Sequence, residues 1–178
     1  MTGVDQRASG PKSKAEAKAE AKAEPVGRRN DAALLARGVG RLLVDMGYSV
    51  LTELRVGAGR RVDMAGCNAR GAIVIVEIKS SVADFRGDKK WRCYLPYCDS
   101  FYFAVAADFP LQLLPQDSGL IVADSYGAEV IRPAPVMTMN GNRRRSLTLR
   151  FARAAADRLR DVLEGDPAAP VSQTRPQR

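Results

Sequence analysis

The sequence predicts an α/β domain in which helices cover a sheet of mixed strand direction. Residues 72–79 form a continuous apolar run rich in β-branched residues, which is typical of a strand buried on both faces. The predicted elements follow the order α-β-β-β-α-β-β-α, and this alternation places helices against a sheet. A chain of 178 residues with 46% hydrophobic residues is long enough to form one such domain.

The first half of the domain is predicted as one helix followed by three strands. The helix begins at Asn30 or Asp31, either of which can cap it, and ends at Gly47. Its apolar residues recur at helical spacing, at Leu34, Leu35, Val39, Leu42, Leu43 and Met46. The strands are predicted at 49–56, 60–65 and 72–79, with glycine-containing turns between them.

The second half is predicted to alternate helix, strands and helix. A helix is expected over 84–95, and a C-terminal helix over 146–164. Strands are expected at 101–106, 120–123 and 129–131.

Both ends of the chain are expected to be tails outside this domain, which we place at 30–164. In residues 1–29 lysine and glutamate alternate with alanine, and like charges four residues apart oppose helix formation. We therefore expect a disordered basic tail there. Residues 165–178 combine proline with polar residues and have no periodicity, which predicts a second disordered tail.

The amino-acid composition limits the classes of function that this protein can have. The chain has 28 Lys and Arg against 20 Asp and Glu, a net charge of +8 that favours a polyanionic partner, most simply nucleic acid. An acidic substrate and an anionic membrane surface are the alternatives. The chain has no histidine, which excludes Ser-His-Asp and Cys-His catalysis and any histidine-based zinc site.

The cysteines and the apolar runs bear on location. Three cysteines, an odd number without CxxC spacing, argue against a disulfide framework and fit a reduced cytoplasm. No apolar run is long enough to cross a membrane, and the N-terminus lacks the apolar core of a signal peptide. We therefore expect a cytoplasmic protein that does not insert into membranes.

Two charges interrupt the apolar run at the end of the predicted strand 72–79. Glu77 and Lys79 lie on the same face because side chains alternate along a strand. Charges on a buried strand are costly unless they are paired, bound to a metal or catalytic. If a five-residue loop joins 60–66 to 72–79, Asp63 is a diagonal neighbour of Glu77, and a register shifted by two residues places them directly opposite.

This arrangement predicts a candidate catalytic site. Two acids so placed can hold a hard divalent cation, which polarises phosphoryl oxygens and activates water. Lys79 can orient that water or neutralise charge that develops on the phosphate. The structural alternative is a cross-strand ion pair between Arg61 and Glu77, with Lys79 at a solvated strand end.

Two basic segments are candidates for nucleic-acid contacts. One interleaves basic and aromatic residues, which can bind phosphates and stack on bases, although an amphipathic helix with the tryptophan in the core gives the same pattern. The other is an arginine cluster before the last helix, and arginine is suited to phosphate oxygens. The candidates are Lys89, Lys90, Trp91, Arg143, Arg144 and Arg145.

These residues together resemble the PD-(D/E)XK nuclease superfamily. The match consists of Asp63 and then Glu77-Ile78-Lys79 in an α-β-β-β-α-β order. More closely, residues 31–160 resemble the MmcB-type family of bacterial DNA-repair proteins. The resemblance lies in the segments RRVDMAG, IVEIKSSVADFRGDKKW and SGLIVADSYGAEVIR.

The resemblance implies a restriction-endonuclease-like mixed sheet flanked by helices, and metal-dependent hydrolysis of DNA phosphodiesters in bacterial DNA repair. It implies that Asp63, Glu77 and the backbone carbonyl of Ile78 bind Mg²⁺ or Mn²⁺, and that Lys79 is catalytic. Val62 replaces the proline of the motif, and the first helix lacks the glutamate that some members use.

Because members of this superfamily are not all active nucleases, a DNA-binding repair accessory without turnover is the main alternative. A repair protein would then be a natural second partner. Hydrolysis of another phosphate ester is a further alternative, although it has no special use for so basic a surface.

Overall fold

The computed structural model describes residues 26–88 and 90–165, including the side chains of 31–57, 59–88 and 90–165. The helices are α1 (Val26–Asp45), α2 (Val82–Gly87) and α3 (Gly141–Leu163). The strands are β1 (Tyr48–Arg55), β2 (Arg61–Asn68), β3 (Ile73–Lys79), β4 (Ser100–Val105), β5 (Gly119–Ala123) and β6 (Ala128–Arg132). The tails predicted at 1–29 and 165–178 lie outside the described residues, apart from 26–29 and Gly165.

The six strands form one sheet in the order of the sequence, from β1 to β6. The pairs β1–β2, β2–β3 and β5–β6 are antiparallel, whereas β3–β4 and β4–β5 are parallel. The parallel pairing of β3 with β4 requires a crossover, and α2 lies in this connection. The predicted mixed sheet and its α-β-β-β-α-β order, typical of a restriction-endonuclease-like fold, are therefore confirmed.

The core has two hydrophobic clusters. One packs α1, through residues such as Val39 and Leu43, against Met64 and Val76. The other packs Leu147 and Phe151 of α3 with the aromatic residues of β4. All seven residues of β3 are buried, which confirms the prediction of a strand covered on both faces. Among the described helices, none is long and apolar enough to cross a membrane.

The first helix ends where the sequence predicts. Gly47 has a φ of +84°, a left-handed conformation that glycine adopts at low cost, and its N–H donates to the carbonyl of Val44. The helix begins at Val26, four residues before the first predicted cap, Asn30. The last helix also begins earlier than expected, at Gly141, because the side chain of Asn140 caps it by accepting the N–H groups of Asn142 and Arg143.

The predicted helix over 84–95 forms only at its start and is wrong beyond Gly87. Helix α2 ends at Gly87, and 3-10 turns at Trp91–Cys93 and Leu95–Tyr97 follow it. The carboxylate of Asp88 accepts the N–H of Lys90, so a local side-chain bond replaces the helical pattern at this point. The packing of Trp91 on the β4 aromatic residues further favours the turn over a continued helix.

Candidate active site

The β2–β3 hairpin places Asp63 opposite Glu77. The paired residues run from Cys67 with Ile73 to Met64 with Val76, and continuing this register brings the two acids together. The loop therefore has three residues rather than the five that we predicted.

The side chain of Asn68 explains the shorter loop. Its carboxamide oxygen accepts the N–H groups of Arg70 and Ala72, while its backbone N–H donates to the carbonyl of Ala72. These bonds close the turn over 69–71. The two-residue shift, which was the second of our predicted registers, is the one observed.

A backbone N–H group of each strand donates to the carboxylate on the other strand. The N–H of Ile78 donates to Oδ2 of Asp63 over 2.8 Å, and the N–H of Asp63 donates to Oε1 of Glu77 over 3.3 Å. Burial raises the pKa of Asp63. Burial, reinforced by the charge of Asp63, raises the pKa of Glu77 to about 8. Two apposed carboxyl groups that are partly removed from water favour a shared proton or a bound cation.

Lys79 lies between two carboxylates and is only 4% exposed. Its Nζ is 2.6 Å from Oδ2 of Asp88 and 3.5 Å from Oε2 of Glu77. Burial alone lowers the pKa of Lys79, but the hydrogen bond to Asp88 and the charge of Glu77 outweigh it and raise the pKa. Partial burial of Asp88 is likewise outweighed by the hydrogen bonds from Lys79 and the Lys90 N–H, so the pKa of Asp88 is lowered. Lys79 is therefore a cation at neutral pH.

These residues line an open cleft of about 750 Å³ at the end of β2 and β3. Helix α1 contributes only alanines to it, so the glutamate that the family resemblance places on the first helix has no counterpart there. The alanines are Ala32, Ala33 and Ala36. The acids that line the cleft are Glu53, Asp63, Glu77, Asp84 and Asp88, and the bases are Arg61, Lys79 and Lys90.

Glu53 is a cleft residue that the sequence did not reveal. It occupies the β1 position opposite Asp63, between the pairs Thr52–Met64 and Leu54–Val62. Its φ of +54° is a left-handed conformation that is unusual for a residue other than glycine. Glu53 forms an ion pair with Arg61, so the predicted alternative of an Arg61–Glu77 pair is wrong.

The left-handed conformation of Glu53 breaks the alternation of side chains along β1, so that Val50 and Leu54 lie on opposite faces of the sheet although they are four residues apart. Before Glu53, Val50 packs into the cluster under α1, and after it, Leu54 and Val56 pack into the cluster under α3. In the sequence, Glu53 reads as an ordinary polar residue of an alternating strand, and no motif singles it out.

The donor set fits a magnesium-like ion. Asp63 and Glu77 face each other, and hard ions of this class bind through few carboxylates and retain several waters. Within the described residues, no three Asp, Glu or Cys side chains converge as a metal cluster. The further ligands would be waters and the Ile78 carbonyl that the family resemblance implies.

Of the candidates for nucleic-acid contact near the cleft, the structure leaves Lys90 exposed and moves Trp91 to the core. The indole of Trp91 is 6% exposed and stacks on Phe101, with 5.3 Å between ring centroids. The predicted role of Trp91 in stacking on bases is thus corrected to packing. Lys89 lies outside the described residues.

The cluster 143–145 separates into two kinds of arginine. Arg144 bonds both carboxylate oxygens of Asp99 and the carbonyl of Gly71, so its charge is used within the fold. Asp99 in turn accepts the N–H of Ile73, at the start of β3. At about 3.3 Å per residue, this end of β3 is about 20 Å from Lys79. Arg144 therefore lies at the opposite end of the strand from the acids.

Other arginines of α3 form what we call the arginine face. None of them forms an ion pair with an acid in the described part of the chain. Two bond backbone carbonyls of β1 and the residue after it: Arg150 those of Arg55 and Val56, and Arg158 that of Thr52. The members of the face are Arg143, Arg150, Arg153 and Arg158, whereas Arg145 lies on a different side of the helix, about 200° around its axis from Arg143.

A solved structure with high similarity to this chain shares its fold. The family model of MmcB-like DNA repair proteins matches residues 20–165. The solved structure of the SPO1766 protein of unknown function from Silicibacter pomeroyi is 42% identical, with a TM-score of 0.73 over 79% of this chain and 97% of that chain. A repair endonuclease from Pyrococcus abyssi matches at 18% identity and a TM-score of 0.29, over 49% of this chain and 38% of that chain.

A search among curated proteins found no match. The family match spans most of the chain, including β2, β3 and the whole cleft. The chain belongs to the MmcB-like family of DNA repair proteins.

Proposed function

We propose that this protein hydrolyses DNA phosphodiesters in DNA repair with the help of Mg²⁺ or Mn²⁺. The observation that carries the proposal is the apposition of half-buried Asp63 and buried Glu77, with buried Lys79 on the same face of β3, in an open cleft. Membership of a DNA repair family supports DNA as the substrate.

Each residue of the cleft has a role in this proposal. Asp63, Glu77 and the carbonyl of Ile78 would hold the divalent ion, which when bound supplies Lewis-acid polarisation and a more acidic water. Lys79 is protonated and buried, so it provides positive charge next to the phosphate at little cost in reorganisation. The alanines of α1 leave the cleft wide enough to admit a backbone phosphate.

Affinity for DNA is proposed to come mainly from outside the cleft. With five acids and three bases, the cleft opposes phosphate until a cation binds. The arginine face carries positive charge that no described acid neutralises, and arginine binds phosphate oxygens well. DNA bound along α3 would then present a phosphate to the cleft.

A second candidate function is a DNA-binding repair accessory without turnover. One observation favours it: the ammonium of Lys79 is bound to the carboxylate of Asp88, so its charge is already used within the fold. Such a site could serve only as a fold element while the arginine face binds DNA. A repair protein would then be the partner that acts on the bound DNA.

Cleavage assays separate these functions. Plasmid, linear, flapped and branched DNA are incubated with the protein in Mn²⁺ and in chelator, and binding to each is measured in parallel. We expect scission only with the metal, and its loss in Asp63→Asn. Normal binding without scission on any form of DNA would favour the accessory, and scission of small phosphodiesters alone would indicate another phosphate ester as substrate.

A further inference from the structure

We propose that Asp88 is a positioning residue for Lys79, which it holds away from Glu77 so that Glu77 stays available to a divalent cation. The inference rests on the proposed function, because it concerns the same metal site. It assigns to Asp88 a role that the motif residues Asp63, Glu77 and Lys79 do not include.

Contacts other than the one with Lys79 also position the carboxylate of Asp88. Its Oδ1 accepts the N–H of Lys90 over 2.9 Å, while its Oδ2 accepts Nζ of Lys79 over 2.6 Å. Its backbone N–H donates to the carbonyl of Phe85 over 3.3 Å. The N–H of Lys90 therefore orients the carboxylate of Asp88, and the carbonyl of Phe85 holds its main chain in place.

Helix α2 anchors this arrangement in the core. Ser81 caps the helix by accepting the N–H of Asp84 over 3.1 Å. The ring of Phe85 packs edge-on against Phe103 and Phe109, with centroid distances of 5.6 and 6.4 Å. Because Asp88 follows this helix directly, core packing sets the distance between its carboxylate and β3.

The position of Lys79 determines what Glu77 can bind. Nζ is 0.9 Å closer to Asp88 than to Glu77, since the two distances are 2.6 and 3.5 Å. If Asp88 lost its charge, Glu77 would be the remaining partner within 4 Å of Nζ among the described residues. An ammonium on Oε2 of Glu77 would then compete with a metal ion for that oxygen.

The test is a double-mutant cycle on Mn²⁺ affinity, measured with the full chain by thermal shift and by calorimetric titration without DNA. The variants are wild type, Asp88→Asn, Lys79→Met and the double variant. We expect Asp88→Asn to weaken Mn²⁺ binding about tenfold in the chain with Lys79 and less than about twofold in the Lys79→Met variant. The difference is expected because the effects of substitutions at residues in contact are not additive. Asp84→Asn is the matched control, because it removes an acid from the same cleft while its carboxylate bonds the Ser80 N–H and not Lys79.

The outcomes separate this inference from the proposed function. One contrary result is that Asp88→Asn lowers Mn²⁺ affinity equally in the chain with Lys79 and in the Lys79→Met variant, and another is that Asp84→Asn lowers it as much as Asp88→Asn does. Either result would show that Asp88 acts only through its charge and would overturn the positioning role. Wild type that fails to bind Mn²⁺ would overturn the proposed function and this inference together. If Asp88→Asn does not fold, Asp88→Glu replaces it. Its longer side chain should weaken Mn²⁺ binding in the chain with Lys79 and leave it unchanged in the Lys79→Met variant.

Discussion

The candidate active-site cleft and helix α3 carry opposite charge on one small domain. The cleft has five acids and three bases, whereas α3 has seven arginines and two acids. The cleft residues are largely bound to one another, since Lys79, Asp88, Glu53 and Arg61 all form ion pairs. Most arginines of α3 have no such partner among the described residues. The proposed function therefore predicts that catalysis in the cleft and DNA affinity along α3 can each be changed with little effect on the other.

The largest expected effect is on chemistry alone. Lys79→Met should reduce strand scission by about 10²-fold or more, the scale seen when one electrostatic donor is removed from an active site. DNA affinity should change little, because α3 is untouched. Lys90→Met, at an exposed position of the same cleft, is the matched control and should retain most of the scission. Scission that survives both Lys79→Met and Asp63→Asn would indicate a contaminating nuclease.

Metal binding tests the cleft without DNA. Mn²⁺ at about 100 times its Kd should stabilise the wild type by about 2.7 kcal/mol, because the ion binds only the folded state. For a domain of this size the melting temperature should rise by roughly 5–10 °C. Asp63→Asn should abolish the shift, and Asp117→Asn, at an exposed ion pair with Arg92, should leave it intact. Equal shifts in the two variants would remove Asp63 from the metal site.

The pH dependence of stability tests the buried acids. The folded protein holds the Glu77 proton up to a pH of about 8, whereas the unfolded chain releases it near the ordinary value of 4.5. The folded state therefore binds more protons in this range, and the free energy of unfolding in chelator should fall as the pH rises from about 5 to 8. Glu77→Gln should flatten that fall by about 3–4 kcal/mol in urea titrations, since each pH unit between the two pKa values contributes about 1.4 kcal/mol. A fall of the same size in Glu77→Gln would assign it to other groups.

The smallest effect concerns individual phosphate contacts. Replacing Arg143 and Arg145 with alanine should lower the slope of log K against log salt by up to about 1.8, because each duplex phosphate contact contributes about 0.9. Arg160→Ala is the control, because Arg160 is already paired with Asp157, Asp161 and Glu164. If all variants keep the wild-type slope, neither Arg143 nor Arg145 contacts phosphate.

The sequence predicts most of this fold because its strongest patterns are local. The unbroken apolar run of β3 and the glycine after α1 both appear as predicted. The sequence leaves the register of the hairpin open between two values, because the register depends on the side chain of Asn68 closing a short loop. The predicted helix over 84–95 stops at Gly87 because the bond from the Lys90 N–H to the carboxylate of Asp88 and the packing of Trp91 outweigh local helix propensity.

The site was predicted in part. Asp63 and Glu77 lie together as the resemblance implied, because a motif on two adjacent strands determines proximity. The partners Glu53 and Asp88 were missed, because each reaches the cleft through a backbone conformation that no residue pattern records. Arg144 was grouped with its neighbours, although its carboxylate partner lies 45 residues away in the chain.

The left-handed residue in β1 also affects how this protein behaves among copies of itself. β1 is an outer strand of the sheet, and an open outer strand can pair with another chain and start aggregation. The change of direction at Glu53 interrupts the flat row of backbone groups that such pairing needs. Arg158 covers the carbonyl of Thr52 close to the same point. The distortion that shapes the cleft therefore also protects the edge of the sheet from strand addition.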